Sequence, residues 1–361
     1  MWKKANFAHM KYYLANFSHD LAISHNGIFY TPPPNVRIME RDLAELCDFF
    51  QPRGPVSYNC YAPVWGWDNT IVSKLKSCGF ENLPTPLQLE KIRSLSSRKV
   101  AVQVLGNVRS LLPDLPLMGE SFVCTSEEEL LDKLALGKLV LKEPLSGSGR
   151  GLRFVDKKLT PHQLNWALRC IREQGCVVAE PLYDKVQDFA LEFLVSESKI
   201  DYSGLSVFGT NQTNVYSGNI IAPQQSLWEK LYAFADCKVF DLLLQNLTKI
   251  LHNVFVGNYL GPIGVDMMIV RKGGKLFIHP CVEINVRRTM GMLSLQMANL
   301  VSLLHEAEFK LLYRKNQREM QQLFNTTPKP EFDKEGKLTA GILWLTKVNA
   351  DTHFAAVIEV Q

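Results

Sequence analysis

GVDMMIVRKGGKLFIHPCVEINVRRTMG, residues 264–291, contains two apolar runs separated by a turn-like segment with two glycines, Arg271-Lys272-Gly273-Gly274. Two runs of this kind joined by a short glycine-containing turn predict a β-hairpin. Pro280 interrupts the second run. Because proline cannot donate to a central strand ladder, we expect an edge strand or a bulge at that position.

Polar side chains occur inside both apolar runs of this hairpin. Asp266 lies in the first run, and Glu283 and Asn285 lie two residues apart in the second, so the latter two share one strand face. Carboxylates among buried strands are costly unless a positive partner is present. A divalent cation would be such a partner, since Mg²⁺ is commonly held by one or two carboxylates together with substrate phosphates. An ion-paired acid on a half-exposed sheet explains the pattern equally well.

The bulk composition is that of a folded protein without a polyanionic partner. The chain has 361 residues, 46% of them hydrophobic and 21% charged, which is enough for more than one domain. The 40 basic and 36 acidic residues leave a net charge of +4, and no dense Lys/Arg run occurs. We therefore expect no nucleic-acid partner.

Cysteine usage and apolar run lengths indicate a cytoplasmic protein. The eight cysteines are scattered without a C-x-x-C pair, which favours reduced thiols over disulfides or a metal cluster. The first thirty residues contain no continuous apolar core of signal-peptide length, and no apolar run approaches the ~20 residues that span a bilayer. We expect a soluble chain with no membrane partner.

The ninety-five residues at the N-terminus predict a small α/β unit. Lys11–Phe17 and Pro55–Tyr58 are strand candidates, and Asp68 is placed to cap a helix over Asn69–Ser77. Trp65 and Trp67 occur in the aromatic loop before this helix. They are interpreted as packing between lobes, with a pocket wall as the alternative.

A lysine and a glycine-rich loop follow in the middle of the chain. Lys142 ends a short apolar strand, and Ser146–Gly151 leads into a second strand, Leu152–Val155. Glycines allow backbone amides to approach an anion closely, and the lysine adds a point charge. A plain flexible hairpin tip is the alternative. The loop lacks the G-x-x-x-x-G-K-[ST] pattern and does not open a helix, so neither a Walker loop nor a dinucleotide fingerprint is indicated.

Two acids follow the next apolar strand, which covers 176–181. Glu180 ends that strand, and Asp188 opens the strand Phe189–Phe193. The backbone of 178–182 could present amide and carbonyl groups to an adenine edge, with both acids near a ribose. A solvated turn is the alternative for these acids.

These features occur in a fixed order: a lysine with a glycine flap, two acids, a strand-borne aspartate, and E-x-N followed by two arginines. This order resembles the ATP-grasp superfamily of carboxylate–amine and carboxylate–thiol ligases, from about residue 97 onward. The resemblance implies an α/β (α+β) protein with the ATP-grasp fold, in which two α+β lobes sandwich a nucleotide. The implied domains are 1–95 (a pre-ATP-grasp α/β domain), 96–190 (the smaller, flap-bearing lobe) and 191–361 (the larger lobe with the metal site).

The resemblance also assigns roles residue by residue. Asp266, Glu283 and Asn285 match Mg²⁺ ligands, and Arg287 or Arg288 matches the catalytic basic residue after E-x-N. An earlier nucleotide-binding lysine is expected at Lys99 or Arg98, and the sequence does not choose between them. The other residues matched to nucleotide binding are Lys142, Ser146, Gly147, Ser148, Gly149, Gly151, Glu180 and Asp188. The spacing to Asp188 is one residue longer than the family pattern.

The resemblance implies an ATP-dependent ligase with Mg²⁺, or Mn²⁺ in its place, as the metal. A substrate carboxylate would become an acyl phosphate, and an amine or thiol would then displace phosphate. The substrates would be small molecules or peptides, and homodimers are common in such enzymes. Two alternatives are a module that binds ATP without turnover and a kinase that phosphorylates a non-carboxylate acceptor. His279 is interpreted as a sheet residue, with a substrate contact as the alternative.

Overall fold

The computed structural model describes residues 14–50, 64–147, 151–210 and 216–360. It is a mixed α+β structure, so the predicted class is confirmed. The α-helices are α1 (His19–His25), α2 (Pro34–Asp42), α3 (Asn69–Ser77), α4 (Pro86–Leu95), α5 (Arg98–Leu111), α6 (Glu127–Lys133), α7 (Pro161–Gln174), α8 (Gln224–Tyr232), α9 (Cys237–Phe255), α10 (Met290–Met297) and α11 (Gln317–Thr326). Short 3-10 helices cover Ala44–Phe49, Leu134–Leu136 and Ala298–Leu300.

The strands form two main sheets and a two-stranded ribbon. The strands are β1 (Phe122–Cys124), β2 (Leu139–Lys142), β3 (Leu152–Val155), β4 (Val177–Pro181), β5 (Asp184–Val195), β6 (Ile200–Thr210), β7 (Tyr216–Ile221), β8 (Gly261–Lys272), β9 (Lys275–Asn285), β10 (Ala307–Tyr313), β11 (Glu331–Phe332), β12 (Leu338–Ala340), β13 (Ile342–Trp344) and β14 (Phe354–Val360). The small sheet has the order β1-β4-β2-β3, and the large sheet has the order β13-β14-β10-β7-β6-β5-β8-β9. All pairings within them are antiparallel.

The hairpin predicted from the opening stretch is confirmed as β8 and β9. Gly273 and Gly274 both have positive φ, which explains why glycines occupy the turn. The strand β9 is the edge of the large sheet, and the register shifts between Asp266 and Met268, opposite Pro280. Both consequences expected of this proline, an edge and a bulge, are therefore present.

Side-chain alternation gives the large sheet one apolar core face. Phe189, Leu191 and Phe193 of β5 are buried in the main core, which also contains the apolar stripe of α9. The rings of Phe189 and Phe240 meet edge to face with centroids 6.3 Å apart, which anchors α9 on this side. The small sheet has its own core beneath α7, built around Trp166.

Several local predictions are confirmed by the structure. Asp68 caps α3, since its carboxylate accepts a hydrogen bond from the amide of Ile71 at 2.9 Å. The predicted strands around Lys142 are present as β2 and β3. The sequence predicts one long amphipathic helix or two over 226–255, and the structure has two, α8 and α9.

Other local predictions differ from the structure. The described part of the strand predicted at Lys11–Phe17 is not a strand, and the described residues before 96 contain helices without a strand. Pro55–Tyr58 lies outside the described residues. The sequence predicts a helix over 293–310, but the helix ends at Met297. Residues 307–310 belong instead to the strand β10, in which the alternating Ala307 and Phe309 are buried. The strand β5 continues through the predicted boundary at residue 190.

Within the described ranges, no helix is both long and apolar enough to cross a membrane.

Candidate active site

Rows of side chains cross β5, β8 and β9 on the side of the sheet opposite the core, which we call the cleft face. Successive rows are two residues apart along β5 and β8, or about 6.6 Å, whereas the bulge in β9 separates its first two rows by four residues. The register places them as follows: Asp188, Met268 and His279; Ala190, Asp266 and Glu283; Glu192, Gly264 and Asn285; Leu194 and Pro262.

The second row contains the acids predicted to bind metal. Asp266 and Glu283 are direct cross-strand partners, and the amide nitrogen of Asn285 donates to Oδ2 of Asp266 at 3.0 Å. Burial and the neighbouring Glu283 carboxylate raise the pKa of Asp266 well above its ordinary value. Among the described residues, no cationic side chain forms an ion pair with Asp266. The structure therefore brings the three predicted ligands together and leaves one carboxylate in need of positive charge.

These three residues fit a Mg²⁺ site of the type that phosphates complete. No group of three or more His, Cys, Asp or Glu side chains in the described ranges is arranged to hold a metal ion. The predicted set instead has two carboxylates and one amide. Asn285 contacts Asp266 through its amide nitrogen, so its amide oxygen takes no part in that hydrogen bond. Mg²⁺ commonly takes few protein ligands, with water and substrate phosphates supplying the rest.

Arg98 connects the second row to the base of the glycine-rich loop. Its guanidinium donates to Oε1 of Glu283 at 2.8 Å, to Oγ of Ser146 at 2.7 Å and to the carbonyl of Glu143 at 2.5 Å. Arg98 is the first residue of α5 and is buried. Of the two predicted candidates, Arg98 is the one that the structure places at this site. The ammonium of Lys99 lies beside the thiol of Cys176 instead.

The described ends of the flap pack closely on the site. The amide of Glu143 donates to the carbonyl of Gly151 at 2.9 Å, which closes the base of the loop. A side chain at Gly147 would meet Cβ of Asp20 at 2.5 Å, so glycine permits this approach. Ser148 and Gly149, both predicted to bind nucleotide, lie outside the described residues.

Lys142 and Glu180 form a buried ion pair on neighbouring strands of the small sheet. Nζ of Lys142 is 2.5 Å from Oε2 of Glu180, and Oγ of Ser121 donates to Oε1 of the same carboxylate at 2.9 Å. Burial and the carboxylates of Glu180 and Asp266 raise the pKa of the Cys281 thiol, which lies on β9 two residues before Glu283. Arg98 donates both to Glu283 and to the carbonyl of Glu143, the residue after Lys142, so the small-sheet pair lies close to the second row.

The first row contains Asp188 and the buried imidazole of His279. Asp188 pairs with Lys185 at 2.6 Å. His279 is fully buried against Tyr183, with ring centroids 5.5 Å apart, and against Gly119, where a Cβ would lie 2.8 Å from the ring. Neither ring nitrogen has a hydrogen-bond partner among the described residues. Burial lowers the pKa of His279 to about 3, so the imidazole is neutral.

The two arginines after E-x-N contact different partners. Arg287 pairs with Asp20, and its charge also acts on Asp266. Arg288 donates to the carbonyl of Val64 at 3.1 Å and lies 5.1 Å over the ring of Phe50. Arg287 is therefore the arginine placed near the second row, while Arg288 attaches the hairpin to the N-terminal unit.

Two further residues of this region had no recognisable sequence motif. Asp20 lies in α1, more than 260 positions before the arginine that it binds. Glu192 occurs in an apolar strand whose alternation, with Ala190 and Leu194, could have indicated the shared face.

No protein-family model matches the chain, and no curated protein matches its sequence. Solved structures that align with it include N5-carboxyaminoimidazole synthetase from Staphylococcus aureus complexed with ADP, at 14% identity over 81% of this chain and 73% of that one, with a TM-score of 0.47. Biotin carboxylase from Campylobacter jejuni in a β-γ-ATP complex aligns at 12% identity over 75% and 64% of the two chains, with a TM-score of 0.47. Carboxyaminoimidazole ribonucleotide synthase from Aspergillus clavatus complexed with ATP aligns at 12% identity over 81% and 74%, with a TM-score of 0.47. Resemblances at this level do not assign the chain to a family.

Proposed function

We propose that the chain has the ATP-grasp fold and acts as a Mg²⁺-dependent ligase, which uses ATP to activate a carboxylate as an acyl phosphate and joins it to an amine. The observation that carries this proposal is the cross-strand pair of Asp266 and Glu283 together with Arg98, which links Glu283 to the flap base at Ser146. Paired acids next to phosphate-binding donors are the arrangement that a metal-bound polyphosphate requires.

The order of the rows supports a division of the cleft. The first row, with Asp188 and His279, would receive the base and ribose, and the second row would receive the phosphate end. Arg98, Lys142 and Arg287 already pair with Glu283, Glu180 and Asp20, so a polyphosphate would share these cations with the carboxylates and would not replace them.

The chain's own residues would bind and orient the reactants. A bound Mg²⁺ would neutralise negative charge on the transferred phosphoryl group. Arg98 and Lys142 would hold phosphate oxygens, and the flap would exclude water, which otherwise hydrolyses an acyl phosphate. The attacking carboxylate oxygen forms a bond to the γ-phosphorus while the bond to ADP breaks, and ADP leaves with the electron pair.

The test is nucleotide binding by purified protein with and without Mg²⁺. Millimolar MgADP should raise the melting temperature of the wild type, since a ligand at 100 times its Kd stabilises by about 2.7 kcal/mol. Glu283→Gln and Asp266→Asn should keep the fold and lose the Mg²⁺-dependent part of this gain. Glu229→Gln, on the surface of α8, is the matched control and should behave as wild type. Absence of any nucleotide response in the wild type would contradict the proposal.

Turnover can be assigned with hydroxylamine as a general amine. An acyl phosphate reacts with hydroxylamine to give a hydroxamate, whereas a phosphorylated alcohol or amine does not. Hydroxamate formation that depends on ATP and on an added carboxylic acid would support the ligase. Stable acceptor phosphorylation would favour the kinase alternative, and nucleotide binding without ADP release over a broad acid panel would favour the binding module.

A further inference from the structure

Glu192 lies in the row beyond the metal acids and has no role in the reaction described above. It follows Ala190 by two residues on β5 and therefore shares the cleft face with Asp266. Its side chain is fully buried. A buried carboxylate in the middle of a sheet is costly without full hydrogen bonding, so its presence calls for a physical explanation.

The carboxylate of Glu192 is only partly satisfied. Oε1 accepts a hydrogen bond from Oγ of Ser206 at 3.1 Å, and the Thr289 and Ser206 side chains both act to lower the pKa of the carboxyl against the larger effect of burial. Oε2 has no hydrogen-bond partner among the described residues. Leaving such an atom unpaired is destabilising, and a bound hydrogen-bond donor would remove that cost.

Two glycines make room for this carboxylate. A Cβ on Gly264 would lie 2.7 Å from Oε2, and one on Gly291 would collide with Oε1. Both glycines have ordinary φ values, so their backbone conformation does not require glycine. The absence of side chains at these positions is explained by the space that the Glu192 carboxylate occupies.

A cavity begins one row beyond Glu192. It has a volume of about 560 Å³. The described residues that line it are Asp48, Phe49, Leu194, Ser203, Met292, Gln296 and Asn299. Leu194 is two residues after Glu192 on the same strand face, and Met292 follows Gly291 in α10. The cavity therefore continues the line of the cleft, about 13 Å along β5 from the row of Asp266.

The chemistry of this lining favours a cation or a neutral molecule over an anion. It contains one carboxylate, one hydroxyl and two amides, and no lysine, arginine or histidine among the described lining residues. A substrate with a free carboxylate at its far end would have no charged partner there.

We infer that Glu192 binds the attacking amine, and that the acceptor is an amine without a carboxylate, carried in the cavity beside it. This inference rests on the proposed function, because it names the second substrate of that reaction. Burial raises the pKa of Glu192 to about 7, which suits a group that takes a proton from an ammonium near neutral pH.

Glu192 removes one proton from the attacking amine, and the leaving phosphate removes another. The ammonium transfers one proton to Oε2 of Glu192 and becomes a neutral amine. Its nitrogen forms a bond to the acyl carbon while the bond from that carbon to the phosphate oxygen breaks. The phosphate leaves with the electron pair and takes a second proton from the nitrogen, which gives an amide, hydrogen phosphate and protonated Glu192.

The test compares two amines of equal length, 1,4-diaminobutane and 4-aminobutanoate, by calorimetry on protein saturated with MgADP. The wild type should bind the diamine at least about tenfold more tightly, a difference of about 1.4 kcal/mol. Glu192→Gln keeps the shape and the Ser206 contact, and it should lose this binding while MgADP still binds. Equal diamine binding by Glu192→Gln, preference of the wild type for 4-aminobutanoate, or no diamine binding would each overturn the inference.

A second variant tests the cavity without changing the buried Glu192. Gln296 is half-buried at the cavity wall, so Gln296→Lys should fold and should shift the preference toward 4-aminobutanoate. An unchanged preference for the diamine over 4-aminobutanoate would overturn the proposal that the cavity carries the amine substrate. Failure of MgADP to bind the wild type would instead remove the proposed function, so the two failures are distinguishable.

Discussion

The guanidinium of Arg287 donates two hydrogen bonds to the carboxylate of Asp20, each 2.7 Å long. Such a two-point contact fixes the direction of the arginine as well as its position. Burial alone would raise the pKa of Asp20, but the charge of Arg287 lowers it below its ordinary value. Asp20 also lies against Gly147 at the flap base. One ion pair therefore holds the N-terminal unit, the flap base and the end of the hairpin together.

Asp20→Asn should destabilise the protein by about 2 kcal/mol, because one charge-assisted bond becomes neutral and Arg287 loses its counter-charge. Urea denaturation measures this change. Glu306→Gln, which breaks the surface pair with Lys230, is the control and should change stability by less than about 1 kcal/mol. Equal effects of the two variants would show that the Asp20 contact has no special role in the fold.

Lys142→Met should cost about 3–5 kcal/mol, because it leaves the buried Glu180 carboxylate without its partner. The double variant Lys142→Met with Glu180→Gln should recover part of the loss, since no unpaired charge then remains. The measurement is a double-mutant cycle in urea. Additive losses would contradict a direct interaction between the two side chains.

Much of the fold could be predicted from local patterns. The hairpin, its proline bulge and the cap at Asp68 each depend on signals a few residues long. The helix predicted over 293–310 includes the first four residues of β10, and only the pairing of this strand with β7 and β14 decides between helix and strand. Tertiary pairing of this kind cannot be read from one segment.

The site was predictable where strand alternation determines it and unpredictable where distant segments meet. Alternation placed Glu283 and Asn285 on one face, and the structure adds Asp266 across the ladder. The sequence gives no reason to prefer Arg98 or Lys99 as the nucleotide-binding residue. The two side chains leave the first turn of α5 in different directions, and only the structure shows that Arg98 reaches Glu283. The contact between Arg287 and Asp20 spans two units and had no local signal.

His279 should make the protein less stable in acid. Its pKa is about 3 in the folded chain and 6.5 ordinarily, so below pH 6.5 the unfolded chain binds a proton that the native state does not. Stability should therefore fall as the pH is lowered from 6.5 toward 3, by up to about 1.4 kcal/mol per pH unit from this group. His279→Leu removes the titrating group and should flatten the profile in that window.

The measurement for His279 is the free energy of unfolding by urea between pH 7.5 and pH 4.5. His162→Asn replaces an exposed histidine and should keep the wild-type slope. A His279→Leu profile parallel to the wild type across this range would show that the imidazole has the same pKa in the native and unfolded states, which would contradict the prediction.

Arg98 and Lys99 form a natural pair of variants for the nucleotide site. Arg98→Ala removes the contacts to Glu283 and Ser146, whereas Lys99→Ala removes a side chain directed toward Cys176. MgADP affinity should fall at least about tenfold in Arg98→Ala, or 1.4 kcal/mol, and should change less than about twofold in Lys99→Ala. Arg98→Lys should restore part of the affinity, since it keeps the charge but not the forked geometry. Calorimetric titration with MgADP gives all three affinities. A larger loss of affinity in Lys99→Ala than in Arg98→Ala would show that Lys99 contacts the phosphates and Arg98 does not.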